Sequence, residues 1–470
     1  MRLDPSAPPL TAAAASRALA AGRLTAAALV EDCLARIAAQ DGRLSSFVLV
    51  EAEAARRAAR RADAALKRGQ RQGPLHGIPV ALKDIYETAG IRTTAHSRLL
   101  LDHVPRADST VAQRLKEAGA ILIGKLATHE FAIGGPAFDL PFPPARNPWD
   151  PERFTGGSSS GSGAAAAAGL VPLTMGSDTS GSIRGPAGYC GIAGLKPTYG
   201  LVPRTGVIPL SYSLDHCGPM CWTVEDCALL LDAVAGPDPA DPGSAERPYR
   251  ASRGRLRGGI EGMKIGVVRH FYERDLEMDP EAAKALEAAL AVLKRLGAKL
   301  VTVSLPPHED WDACCRTILY AEAYAIHERD LKERPEQYAA ITRARLTAGG
   351  VVSAADYIQA TRWRRELRRR YAEAMDGLDA LVTACTLAPA PRIEDAAKPP
   401  FFAVRGRLIV APFNLAGAPA LSLCCGFSES GLPLSLQIAG APFADATVLR
   451  IGHAYEQATP WRERRPPLAK

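Results

Sequence analysis

The sequence predicts an α/β fold, and three observations lead there. With 470 residues and 47% apolar content, the chain can bury a large core, as one big domain or as two smaller ones. The apolar run Ile78-Pro79-Val80-Ala81-Leu82 reads as an interior strand, and Val171–Met175 as a core segment. Helical periodicity fills much of the remainder, with no internal repeat.

Taken in order, Thr11–Ala39, broken near Gly22, and Glu51–Lys67 read as amphipathic helices that wrap the amino-terminal side, residues 1–70. The interior strand then runs into Lys83. Ala164–Leu170 is a good helix former that leads directly into Val171–Met175. Residues 240–400, rich in Arg and Glu, read as a helical excursion that closes over the active site.

Charge and cysteine usage exclude several function classes. Lys+Arg exceed Asp+Glu by 57 − 50 = 7, a mild balance for this length. The densest basic run, Arg362 to Arg370, is interrupted by Glu366, followed by Glu373, and lacks an aromatic ladder, so a solvated helix face is expected there and no nucleic-acid groove. Ten cysteines are scattered, mostly in apolar stretches, without paired C-x-x-C spacing; no metal site is expected, and buried, reduced thiols point to the cytoplasm. The start, Met1-Arg2-Leu3-Asp4-Pro5, has no apolar leader region, so neither secretion nor a membrane span is expected.

Gly156 to Thr198 carries the most chemistry. It holds seven serines (158, 159, 160, 162, 177, 180 and 182) among eleven glycines and no histidine. Hydroxyls and unhindered backbone amides at this density suit a serine nucleophile facing an oxyanion site of main-chain N–H groups. A flexible linker would not continue into a helix former and a core segment. Phe154 to Ser177 is uncharged and long enough to span a bilayer, but its Gly, Ser and Ala content suits a buried helix. Gly157 to Gly161 formally matches G-x-S-x-G, yet Asn147 to Glu152 before it is not the strand a nucleophile elbow needs. No G-x-x-x-x-G-K-[ST] phosphate loop occurs.

These residues resemble the amidase signature family. The resemblance rests on Gly156-Gly157-Ser158-Ser159, Gly176-Ser177-Asp178-Thr179-Ser180-Gly181-Ser182-Ile183-Arg184 and Cys190-Gly191-Ile192-Ala193-Gly194-Leu195-Lys196-Pro197-Thr198. Agreeing blocks lie along nearly the whole chain: Gly77 to Asp84, Arg146 to Asp150, Ser213-Leu214-Asp215-His216 with Gly218-Pro219, Thr223 to Asp226, Asn414-Leu415-Ala416-Gly417 and Gly431-Leu432-Pro433. The resemblance implies one large domain, residues 1–470, with a mixed β-sheet covered by helices on both faces. It implies a catalytic set of Lys83, Ser158 and Ser182, the serines 182 − 158 = 24 residues apart. Ser182 resembles the nucleophile; Ser158, after a cis Gly157–Ser158 bond, would bridge it to Lys83. The amides of Thr179, Ser180, Gly181 and Ser182 would hold the oxyanion. Asp178 and Arg184 would brace their turn.

Lysine can act as a base only when neutral, which asks its pKa to fall from roughly 10.4 toward roughly 7 to 8. Burial at the end of an apolar strand favours this. Asp84 would oppose it if close, but successive strand side chains point to opposite faces, so Asp84 is expected to look away.

The family includes stand-alone hydrolases of small amides and carbamates and the glutaminase subunit of a tRNA-dependent amidotransferase. That subunit's aspartate for the glutamine amino group corresponds to Arg407, where a cation would repel an ammonium. Its arginine for the glutamine carboxylate corresponds to Arg345. Relatives line their pocket with the segment Phe131 to Pro144; Ile133, Gly134, Gly135, Phe138 and Phe142 are candidate wall residues, the phenylalanines suggesting an apolar, aryl-accepting surface. The expectation is a cofactor-free hydrolase of apolar or aryl small amides, with carbamate (urethanase) or ester activity as extensions, acting as a monomer or homodimer. The alternative is a glutaminase A subunit that needs partner chains.

Overall fold

The computed structural model describes residues 8–398 and 408–467; Met1–Pro5 and Arg407 lie outside them. Among the described residues, eleven strands form one sheet in the order β1-β3-β2-β4-β6-β5-β10-β11-β9-β7-β8. Their ranges are β1 Phe47–Val50, β2 Pro79–Lys83, β3 Ile121–Leu126, β4 Leu173–Asp178, β5 Ala193–Lys196, β6 His216–Cys221, β7 Lys264–Val267, β8 Lys299–Thr302, β9 Ala380–Ala384, β10 Ala420–Phe427 and β11 Pro433–Ala439. The sheet is mixed: β3, β2 and β4 run parallel, as do β8, β7 and β9, and antiparallel pairs join these groups through β6, β5, β10 and β11. Strands β2, β4, β6, β9 and β11 are buried along their whole length and are built mostly of apolar and small residues, with Lys83, Asp178, His216 and Gln437 as the buried polar exceptions.

The amino-terminal wrap consists of α1 Ala12–Ala20, α2 Ala26–Leu44 and α3 Ala52–Lys67. Thr11 and Thr25 cap the first two by accepting from Ala14 N and Ala28 N, each satisfying an orphan first-turn amide. Gly22, at φ +65°, makes the break between them. The short strand β1 inside this region escapes the helical reading. It pairs antiparallel with β3 at the sheet edge.

Helices α4 Thr110–Glu117, α5 Ser160–Ala167, α6 Arg184–Cys190 and α7 Val224–Val234 flank the central strands. α5 and α6 pack together and against the sheet, while α7 packs on β6 and β5 together with α1, α4 and the helix Asp445–Gln457. Helix α5 is buried on every side, so its Gly/Ser/Ala composition lets backbones approach closely.

Residues 240–400 are not purely helical. They contribute β7, β8 and β9 to the sheet as well as α8 Pro280–Arg295, α9 His308–Glu333, α10 Ala340–Gly349 and α11 Ala354–Ala374. Four- and five-residue strands between long Arg/Glu-rich helices are too short to register as a separate period. Among the described residues, no helix is long and apolar enough to cross a membrane.

Candidate active site

The site forms where the ends of β2 and β4 meet the Gly/Ser tract. Lys83 closes β2 with no solvent exposure, and its Nζ donates to Ser158 Oγ at 2.7 Å and to Ser177 Oγ at 2.9 Å. Burial pulls the Lys83 pKa down to about 7, against the opposing pull of Asp215, Cys217 and Asp178. Asp84 does face elsewhere: its carboxylate pairs with Lys125 at 3.3 Å and accepts from Thr94 N at 2.9 Å. Lys125 also donates to Tyr86 O and Thr93 Oγ1. A buried cation thus answers the buried anion, and neither acts on Lys83 at hydrogen-bond range.

The Gly157–Ser158 peptide is cis. Gly157 is the residue the packing allows: a Cβ there would stand 1.8 Å from His129 Cε1. Ser158 is held on both sides of its carbonyl, which accepts from His129 N at 3.0 Å and Ser160 N at 2.8 Å.

Ser182 reaches the same cavity as Ser158, and its carbonyl accepts from Ser159 N at 3.3 Å. No hydrogen bond joins the two hydroxyls directly. The turn before Ser182 is shaped by Gly181 at φ +102°, where a Cβ would meet Val410 at 2.9 Å; glycine adopts this conformation without a steric penalty. Of the four amides expected to hold an oxyanion, that of Gly181 donates to Asp178 Oδ1 at 2.7 Å. The carboxylate also accepts from Ile183 N and Arg184 N, an engagement that spacing alone did not reveal.

Asp178 and Arg184 form the expected brace, both fully buried, with Arg184 Nε 3.0 Å from Asp178 Oδ2. Arg184 also donates to Asn414 Oδ1 at 2.5 Å and Gln437 Oε1 at 3.1 Å, and Asn414 Nδ2 donates back to Asp178 Oδ1 at 2.8 Å. Burial alone would raise the Asp178 pKa, but the Arg184 guanidinium outweighs it and holds the carboxyl well below the usual range. A satisfied network of this kind fixes the turn in one shape.

The cavity shared by Ser158 and Ser182 has a volume of about 60 Å³. Ile133, Gly134 and Arg345 line it as expected, together with Thr179 and Ser180. Phe138 and Phe142 do not. Phe138 is 53% exposed and lies under Arg146, and Phe142 packs on the His96 ring. Gly135 is buried away from the wall. The apolar wall comes instead from Phe154, Leu210, Leu319 and Leu408, from four separate parts of the chain. His129, which the sequence reading missed, stacks on Phe154 at 5.8 Å. Burial first, then Lys83 and Arg345, hold its imidazole far below its usual pKa and hence neutral. A lone buried histidine beside Phe131 carried no signal of its own. Arg345 donates to the carbonyls of Ile133 and Gly134 and to Tyr320 Oη.

The model of the family described as Amidase matches residues 28–449. The chain belongs to the amidase family. This amidase is 42% identical to the A subunit of the glutamyl-tRNA(Gln) amidotransferase of Chloroflexus aggregans, over 98% of this chain and 99% of that protein. Among solved structures, it is similar to a chain of a vestigial protein complex that bears on the origins of an s-triazine catabolic enzyme, with TM-score 0.90 and 35% identity, over 98% of this chain and 100% of that one. It is also similar to the native peptide amidase of Stenotrophomonas maltophilia, with TM-score 0.86 and 31% identity, over 98% and 99% of the two chains. It is an amide hydrolase, built as one α/β domain.

Proposed function

We propose that this amidase cleaves the carbon–nitrogen bond of its substrate through Ser182, Ser158 and Lys83. The observation that carries this reading is the Lys83–Ser158 contact of 2.7 Å around an amine with no solvent exposure, whose pKa burial brings to about 7. Near neutral pH that amine is substantially uncharged and can accept a proton. Ser182 Oγ attacks the amide carbon while its proton passes to Ser158 Oγ and the Ser158 proton passes to Lys83 Nζ. The oxyanion is held by main-chain amides of the Thr179–Ser182 turn other than that of Gly181, whose N–H donates to Asp178. The proton then returns through Ser158 to the leaving nitrogen, the C–N bond breaks and an acyl-enzyme remains. Water repeats the sequence and releases the acid.

For the substrate, the apolar wall of Phe154, Leu210, Leu319 and Leu408 favours small apolar or aryl amides, with carbamates and esters as extensions. Arg345 commits Nη1 to the carbonyls of Ile133 and Gly134 and Nη2 to Tyr320 Oη, which weakens its fitness to hold a glutamine carboxylate in a two-pronged grip. The second reading, a glutaminase A subunit working with partner chains, is favoured by the 42% identity to the corresponding chain of an amidotransferase. The ten buried, free cysteines support residence in a reducing compartment such as the cytoplasm. The chain, purified alone, is tested for turnover of an anilide panel, glutamine and asparagine. Hydrolysis of anilides without glutamine use supports the first reading. Strict glutamine use, or turnover only with added partner chains, establishes the second.

A further inference from the structure

Two cavities meet at Leu210 and Ala132. The smaller is the 60 Å³ reaction cavity; the larger, about 620 Å³, lies beyond those two side chains. Small-molecule sites usually measure roughly 300–1,000 Å³, so the reaction cavity seats little more than a carboxamide. The larger chamber has room for a ring and a chain. Tyr212, 62% exposed, stands on its wall, so the chamber communicates with solvent.

Position and chemistry say which half of a substrate it suits. Ser177, on the chamber wall, accepts from Lys83 Nζ at 2.9 Å. The chamber therefore lies on the lysine side of the triad, from which the returning proton passes through Ser158 to the departing nitrogen. Its surface is mainly apolar, with Ile85, Val207, Ile208, Pro209 and Cys217. Its charged groups are already engaged: Arg204 pairs with Asp241 at 2.9 Å, and Asp215 accepts from Thr179 Oγ1, Leu210 N and Ser211 N. A charged substituent would lose water there without gaining a free counter-charge. Leu210 itself is fixed: Asp215 holds its amide at 2.8 Å, and Glu322 of α9 holds the Ser213 amide at 3.1 Å.

We propose that the chamber receives the amine half of the substrate, that this half is an uncharged alkyl- or aryl-substituted amine, and that Leu210 at the threshold sets how large it can be. The proposal rests on the amide hydrolysis and catalytic set put forward above.

The test compares acetamide, N-(4-butylphenyl)acetamide (large amine) and 4-phenylbutyramide (large acyl group) as substrates of the parent, Leu210→Ala, Leu210→Trp and Val207→Trp. Val207 lines only the chamber, so it separates filling the chamber from disturbing the threshold. Both tryptophan variants are expected to lower the kcat/KM ratio of the large-amine substrate over acetamide by about tenfold or more, Leu210→Ala to raise it, and the 4-phenylbutyramide ratio to move by less than about twofold. Equal loss in both series, or loss confined to 4-phenylbutyramide, overturns the proposal. Calorimetric binding of 4-butylaniline, uncharged at neutral pH, gives a readout independent of turnover. If the chain hydrolyses none of the amides yet binds 4-butylaniline about tenfold more weakly in the tryptophan variants, the activity reading falls and the chamber stands. Absence of binding overturns the chamber.

Discussion

Lys83 Nζ donates to Ser158 Oγ at 2.7 Å from a position that solvent does not reach. This contact links fold to chemistry: the interior strand that removes the lysine from water is also what makes it a base near neutrality. Burial lowers its pKa to about 7, so kcat/KM is expected to rise with pH through about 7 and then level off. Stability follows the same group. Between about 7 and the ordinary lysine value of 10.5, the unfolded chain binds a proton that the native chain does not, so stability rises with pH across that window. Below about 7 both states are protonated and the cost of the buried cation is fully present. Lys83→Met is therefore expected to abolish turnover while raising Tm at neutral pH, measured by pH–rate profiles and calorimetry.

Asp215 supplies the largest pull against neutralisation of Lys83 and holds Thr179 Oγ1 at 2.5 Å. In Asp215→Asn the lysine pKa falls further, so the acid limb of kcat/KM moves to lower pH, while kcat drops because an amide cannot accept from Thr179 on one side and from Leu210 N and Ser211 N on the other. A limb that stays in place, or moves to higher pH, contradicts this electrostatic assignment.

The Asp178–Arg184 pair is fully buried and linked to Asn414 and Gln437. Arg184→Met leaves the carboxylate without its counter-charge and is expected to cost about 3–5 kcal/mol in denaturant unfolding. A loss below about 1 kcal/mol, the scale of an exposed ion pair, is incompatible with the brace.

Gly157 touches the His129 ring so closely that a Cβ would stand 1.8 Å from Cε1. Gly157→Ala is expected to lower kcat by about 100-fold by shifting Ser158, and adding His129→Ala to recover part of it. Steady-state kinetics of the single and double variants checks this; no recovery argues that the alanine acts through the backbone alone.

The catalytic set is legible through the family resemblance of its motifs, and physical reasoning adds to that only what those residues need. Lys83 ends an apolar run, and a base on a buried strand must be dry; Ser158, Ser182 and the Asp178–Arg184 brace sit in a tract whose glycines mark close backbone approach. The rest depended on tertiary contacts. Phe138 and Phe142 are apolar residues near the pocket segment, but side-chain direction places them against Arg146 and His96. Leu210, Leu319 and Leu408 converge from distant parts of the chain, which no local pattern encodes. The hydrogen bond from Gly181 N to Asp178 depends on a side-chain rotamer, and β7, β8 and β9 are short enough to vanish among helices.

Activation of Ser182 depends on a neutral, buried Lys83 acting through Ser158. Intact-mass spectrometry after a fluorophosphonate probe, on the parent, Ser182→Ala and Lys83→Ala, tests it most directly. A single adduct is expected on the parent, none on Ser182→Ala and strongly slowed labelling on Lys83→Ala. An adduct that persists on Ser182→Ala, or labelling of Lys83→Ala at the parent rate, contradicts it.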